Sequence, residues 1–265
     1  MKSRLLVSAV GVPLILVVIL WAPVWVLAAA LAALAGIAGW EMMKCVGAEK
    51  ARPLGGIAVA GAVAHVLQAY RGSAFLTAVL VVLTLGIFAY AVFRAGEVKF
   101  LQICAALFSM FAIPYAFASF LRLDAAGYHR GFLLLPLLFS FASDTFAFFV
   151  GRAFGRHKLA PKVSPHKTVE GALGGLLGNV VGGLIFALVM NICFDHAISY
   201  LGIALLGLGC SVVAQLGDLS FSLIKREFGV KDYGRIFLEH GGVLDRFDSV
   251  IFVAPVLALL LPVLP

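Results

Sequence analysis

The chain is poor in charge. Of its 265 residues, 12% are charged and 63% are hydrophobic, against about 25% and 45–50% in an ordinary soluble domain. That balance excludes a soluble globular protein and indicates a polytopic membrane protein, with no reason in its length for more than one unit. The long apolar runs lack period-two alternation, which argues against a transmembrane barrel. Cysteine is scarce. Cys45, Cys104, Cys193 and Cys210 stand apart, with no CxxC and no histidine at ligand spacing. No such set suits zinc, and the four are read as small buried hydrophobes. There is no low-complexity tract, no internal repeat and no Walker A spacing, so no P-loop fold is implied. The net charge of +7 comes from bases scattered between apolar segments. Membrane topology and anionic headgroups account for it better than nucleic acid does.

What is present is hydrocarbon in span-sized pieces. Nine apolar stretches, at 5–20, 24–43, 54–70, 74–93, 101–121, 131–150, 172–192, 199–217 and 249–264, each approach the roughly 20 residues a helix needs to cross a bilayer. Helices are the expected form, because a lone strand in lipid leaves backbone groups unsatisfied. The expectation is an all-α, multi-pass protein. Residues 1–130 form a scaffold of helices, and 131–265 carry further helices with two polar loops, the whole making one membrane unit. The first stretch has a basic start and an apolar core like a signal peptide, but apolar character runs on, so it is read as a retained span.

If the hydrophilic ends alternate from an inside N-terminus, 17 of the 20 Lys and Arg fall inside, and Arg71, Arg122 and Arg130 fall outside. This positive-inside bias predicts an N-terminus in the cytoplasm, a C-terminus outside and both polar loops on the cytoplasmic side. Trp21 and Trp25 suit an interface. His65 is read as a packed or hydrogen-bonded histidine rather than a ligand, and Pro13 and Pro114 as kinks that neighbouring helices support. The glycines of 55–61 and 171–183 are read as helix-packing surfaces. Glu41 is read as a solvated helix end, with a polar contact to the second polar loop as the alternative.

The first polar loop runs from Ser143 to Gly175. Asp144 interrupts an apolar run, where an unpaired carboxylate is costly, so it should face a cavity, a base or a metal. Arg152, Arg156, His157, Lys158 and Lys162 lead to Ser164-Pro165-His166-Lys167-Thr168 and Glu170-Gly171. Bases with hydroxyls before a helix make a candidate polyphosphate cradle; an ordinary positive-inside loop is the alternative. The second loop, Gln215–Asp248, concentrates six of the 13 acids. Asp218, Ser222 and Lys225 stand at i, i+4 and i+7, one face of a continuing helix. His240-Gly241-Gly242 permits close backbone approach to a ligand. Asp245 and Asp248 are three apart, and hard carboxylate oxygens suit Mg²⁺. Solvated ion pairs are the alternative here.

Together these residues resemble a known signature. Ser222-Leu223-Ile224-Lys225-Arg226, then Lys231-Asp232-Tyr233-Gly234, then His240-Gly241-Gly242-Val243-Leu244-Asp245-Arg246-Phe247-Asp248 is similar to that of the phosphatidate cytidylyltransferases, the CDP-diacylglycerol synthases. Gln215-Leu216-Gly217-Asp218 and Ser164–Gly171 fit the same pattern. Leu238-Glu239 departs from the usual approach to the HGG, and His166 stands where a second lysine is common. The resemblance implies an enzyme that joins CTP and phosphatidic acid into CDP-diacylglycerol and pyrophosphate; the compact chain suggests a bacterial inner membrane, with an organelle membrane as the alternative. It implies Mg²⁺, one ion or a pair, and a homodimer. Asp218, Asp245 and Lys225 are the expected catalytic residues, with Asp218, Asp245, Asp248 and Asp144 as metal ligands. Ser222, Arg226, Lys231, Ser164, Lys167, Thr168, His240, Gly241, Gly242 and Arg246 are the expected substrate contacts. A cation-coupled transporter and a CTP-dependent lipid kinase are the rival readings.

Overall fold

The computed structural model describes residues 2–48, 52–236 and 241–263, with side chains from residue 11 onward. Leu238, Glu239 and His240 lie outside the described residues.

Among the described residues, eight helical stretches are long and apolar enough to cross a membrane. They correspond to the second to ninth of the stretches read from sequence. The first stretch falls in helix α1, Lys2–Leu20, whose described apolar part is Gly11–Leu20. Then come α2 (Val24–Cys45), α3 (Arg52–Arg71) and α4 (Ala74–Phe93). The fifth stretch is an α5 of Phe100–Leu107, a π turn at Phe108–Ala112 and an α6 of Ile113–Ala125. Pro114 has no N–H to return to the preceding turn, and an inserted π turn is one way a helix absorbs that loss. The remaining helices are α7 (Leu135–Phe154, entered through a 3₁₀ turn from Arg130), α8 (Val169–Cys193), α9 (Tyr200–Glu227) and α10 (Leu244–Leu260). α3 and α6 stop at glycines in the left-handed region, Gly72 (φ +62°) and Gly127 (φ +81°), a conformation that costs a glycine little.

The chain forms two units. The first comprises 1–126 and 227–247, the second 127–226 and 248–265. In the first, α2, α3 and α6 pack together and α4 packs on α3. Trp40 and Met110 fill the space that side chains on Gly55 and Gly61 would need. The edge of His65 meets Phe111 and Tyr115, as a packed histidine should. α4 leaves Val81, Val82, Leu85, Phe88 and Val92 exposed, apolar surface of the kind that lipid covers.

In the second unit, α8 is built around glycine. A Cβ on Gly174 would lie 2.5 Å from Val150, and one on Gly178 would lie 2.4 Å from Phe146, both of α7. A Cβ on Gly183 would press on the Ile203 carbonyl of α9 at 3.2 Å. Small residues thus let α8 approach both neighbours at backbone distance. Buried polar groups join the helices where the backbones meet. Ser143 and Ser211 share a hydrogen bond of 2.9 Å, the Asn179 amide donates to the Gly207 carbonyl, and Gln215 donates to Ala172 O and Ser211 Oγ.

Between α7 and α8 the chain makes a hairpin, an unanticipated addition to the all-α expectation. β1 (Lys158–Ala160) pairs antiparallel with β2 (Ser164–Thr168), with Lys158 opposite Thr168 and Ala160 opposite Ser164.

Candidate active site

The second unit gathers six of the expected residues. α9 runs past its apolar segment to Glu227, so Asp218, Ser222 and Lys225 share a face as their spacing requires. Ser222 Oγ donates to Asp218 Oδ1 at 3.4 Å. Lys167, near the end of β2, pairs through Nζ with Asp218 Oδ2. Asp144 of α7, Asp248 of α10 and Lys225 of α9 all lie within electrostatic range of Lys167. Burial pushes the Lys167 ammonium down from the ordinary lysine value; Asp144 and Asp248 oppose that shift, and Lys225 adds to it. Asp248 is buried, and its Oδ1 accepts from the Ser249 N–H at 2.8 Å.

A cavity of about 380 Å³ opens beside this cluster. Asp144, Arg152, His166, Lys167, Gln215 and Asp218 supply its polar wall, with Phe148 and Leu159 among its apolar lining. That is the size of a small-molecule site with a few convergent polar groups. Charge of both signs meets here: acids that can hold a hard cation and bases that can meet phosphate oxygens. Among the described residues, no three His, Cys, Asp or Glu side chains form one ready coordination shell. The donor set nevertheless fits Mg²⁺ in kind, since the Asp218 carboxylate already holds a cation, the Lys167 ammonium, and the carboxylates of Asp144 and Asp248 lie within electrostatic range of it.

Other expected contacts are committed to the fold. Thr168 Oγ1 accepts from the Gly171 N–H at 3.1 Å and caps α8. Glu170, in the first turn, folds back to accept from the Arg156 and His157 N–H groups and meets His157 Nδ1 at 2.6 Å. It therefore closes the base of the hairpin. Arg226 Nε donates to the Val163 carbonyl at 3.3 Å, tying the hairpin tip to α9. Ser164 begins β2 and is half-buried.

Lys231, Gly241, Gly242, Asp245 and Arg246 belong to the first unit. Lys231 and Arg246 are exposed. Asp245 Oδ2 accepts from the backbone N–H of Tyr233 at 2.8 Å and of Gly242 at 2.9 Å. Gly241 has φ +82°, and a Cβ there would meet that same oxygen at 2.8 Å. So the Gly-Gly pair makes room for carboxylates of the chain itself.

At Glu41 the structure bears out the alternative reading, a polar contact to the second polar loop. Glu41 is not a solvated helix end: it is 3% exposed. Its oxygens accept from the Val243 and Leu244 N–H groups. Nothing in a lone glutamate closing an apolar span distinguishes it from a solvated one. The two glycines that receive it, Gly234 and Gly242, were the available signal.

The chain is similar to known proteins over most of its length. The cytidylyltransferase family profile matches residues 2–264. The phosphatidate cytidylyltransferase of Bacillus subtilis is 40% identical over 186 residues, 70% of this chain and 66% of its own length. Those of Staphylococcus saprophyticus and Staphylococcus haemolyticus are 36% and 35% identical over 182 residues, in each case 69% of this chain and 68% of theirs. With nearly every residue covered by the profile and over a third shared with each of these relatives across the aligned part, this multi-pass membrane protein belongs to the cytidylyltransferase family.

Proposed function

We propose that the chain transfers the cytidylyl group of CTP to phosphatidate, giving CDP-diacylglycerol and pyrophosphate, with its site on the cytoplasmic side of the membrane. The observation that carries the reading is the cluster of Lys167, Asp218 and Ser222 at a cavity, with Asp144, Asp248 and Lys225 around it.

The phosphate of phosphatidate is already an anion, so attack on the α-phosphorus of CTP needs no protein nucleophile and no strong base. The obstacles are repulsion between two anions and a charged leaving group. Positioning and electrostatic stabilisation answer both. Lys167, Lys225, Arg152 and Arg226 are the proposed phosphate contacts, joined by Ser222 and Ser164 hydroxyls. Asp218, Asp144 and Asp248 are the proposed holders of Mg²⁺, which when bound neutralises the polyphosphate and the departing pyrophosphate. Asp245 stays in the proposed metal set on its place in the motif, while its Oδ2 sets the Gly241–Gly242 turn. Lys231, Arg246, His240, Gly241 and Gly242 are proposed substrate contacts on the same ground. Thr168 is proposed to act through its cap, fixing the strand that presents Lys167.

The test is product analysis with purified protein, CTP, Mg²⁺ and phosphatidate vesicles. Release of pyrophosphate with formation of CDP-diacylglycerol is the expected result. Release of CDP would make the protein a lipid kinase, and absence of any nucleotide product would sink the reading.

A further inference from the structure

Two carboxylates, from helices far apart in sequence, hold the start of α10. Asp245 lies in its first turn. Glu41 comes from α2, separated from Val243 by 202 positions. Its Oε1 accepts the Val243 N–H at 3.0 Å and its Oε2 the Leu244 N–H at 2.9 Å. These are N–H groups of the kind that a helix start leaves without intrahelical partners, and a carboxylate is the side chain best suited to them.

The glycines around it show that the space is shaped for this group. A Cβ on Gly234 would sit 2.1 Å from Glu41 Oε1, and one on Gly242 would sit 2.2 Å from it. Neither residue has positive φ. What the fold requires of them is absence of a side chain, so that the carboxylate can enter. Gly241 differs, because its backbone is left-handed. The carboxylate therefore pins the turn from one side while Asp245 Oδ2 pins it at Tyr233 and Gly242 from the other.

We propose that Glu41 is a positioning residue for the reaction: by holding the Val243 and Leu244 N–H groups it fixes the turn that aims Asp245 and Arg246. The choice of reaction rests on the cytidylyl-transfer reading; the contact itself does not. Misplacing a reacting group by about 1 Å can cost on the order of a hundredfold in rate.

The experiment uses the full chain in lipid nanodiscs. Glu41→Gln keeps the shape but offers one acceptor where the turn presents two donors. Its expected kcat is about 10- to 100-fold lower, with KM for CTP and phosphatidate within about threefold of wild type. Hydrogen exchange at the 243 and 244 amides should be faster. If Glu41→Gln does not accumulate, Glu41→Asp, which withdraws the same group by one methylene, is measured instead. Gly234→Ala should by itself reproduce the loss, and should add little in a Glu41→Ala background, where the contacts with the carboxylate are gone and only the Gly242 Cα at 3.1 Å remains. Wild-type kcat in Glu41→Gln, unchanged amide exchange, or additive losses in the cycle would each overturn the proposal. A wild-type protein that makes no CDP-diacylglycerol would overturn the function instead, leaving the exchange measurement to judge the contact.

Discussion

The pair of Lys167 and Asp218 makes a prediction of opposite signs. Lys167 Nζ and a bound Mg²⁺ would draw on the same carboxylate, since Asp218 Oδ2 already receives the ammonium. The side chains are 27% and 20% exposed, so they are neither dry nor fully hydrated. Two unit charges at ~4 Å attract by about 4 kcal/mol at an effective dielectric of ~20. Hydration lost by both groups offsets part of this, leaving on the order of 1–3 kcal/mol, or roughly 10- to 100-fold in an equilibrium constant. Asp218→Asn removes the shared negative charge and one of its two oxygens, and should weaken Mn²⁺ binding, followed by electron paramagnetic resonance, by about tenfold or more. Lys167→Met removes the competing cation and should leave Mn²⁺ binding undiminished or up to about tenfold tighter. Both variants should lose CTP-dependent turnover by at least about a hundredfold. Binding therefore separates two variants that activity alone would not. Wild-type Mn²⁺ affinity in Asp218→Asn, or weakened affinity in Lys167→Met, would refute the assignment of this cluster as the metal site.

Gly178→Ala should lower the thermal midpoint in detergent by the equivalent of about 1–3 kcal/mol, the usual range for overpacking, because its Cβ would meet Phe146 at 2.4 Å. Gly209→Ala, which meets nothing within 4 Å, is the control and should not fall. The charge bias predicts that the α8–α9 connection faces outward. Cys193, contrary to the reading of all four cysteines as buried, is exposed there while Cys45 and Cys210 are buried, and should then react with a membrane-impermeant maleimide in intact spheroplasts; labelling only after permeabilisation would reverse the proposed orientation.

Much of the fold was legible because hydrocarbon length is a blunt signal. A run such as 74–93 has one way to satisfy its backbone in lipid, and α4 occupies Ala74–Phe93. The face of Asp218, Ser222 and Lys225 was legible for a similar reason, since spacing alone defines it once the helix continues. The glycines of α8 were legible as packing residues, and Val150 and Phe146 show what they pack against. The hairpin was not legible. Ser164-Pro165-His166-Lys167-Thr168 carries no alternation of apolar residues and contains a proline, which counts against a strand. Its order comes from Glu170, just past the strand, which reaches back to the hairpin's base, and from Arg226 of α9, which holds the tip from 63 positions away. The contact of Glu41 was legible only as an alternative, because its partners are backbone N–H groups, which leave no mark on composition beyond the glycines that make room for it.

Thr168 has three tasks at once. It ends β2 opposite Lys158, caps α8 through Gly171, and occupies the space beside Gly151 and Gly155, where a Cβ would come within 2.9 Å and 2.8 Å of its Oγ1. The strand therefore has no freedom to slide. A slip of one residue would turn Lys167 to the opposite face and uncap α8 in the same movement. Length can vary at the tip, around 161–163, for little more than the exposed Arg226 bond and a small loop-closure cost. Between 164 and 168 it cannot. The hairpin thus acts as a ruler: it counts residues back from the first turn of α8 and sets down one ammonium beside Asp218.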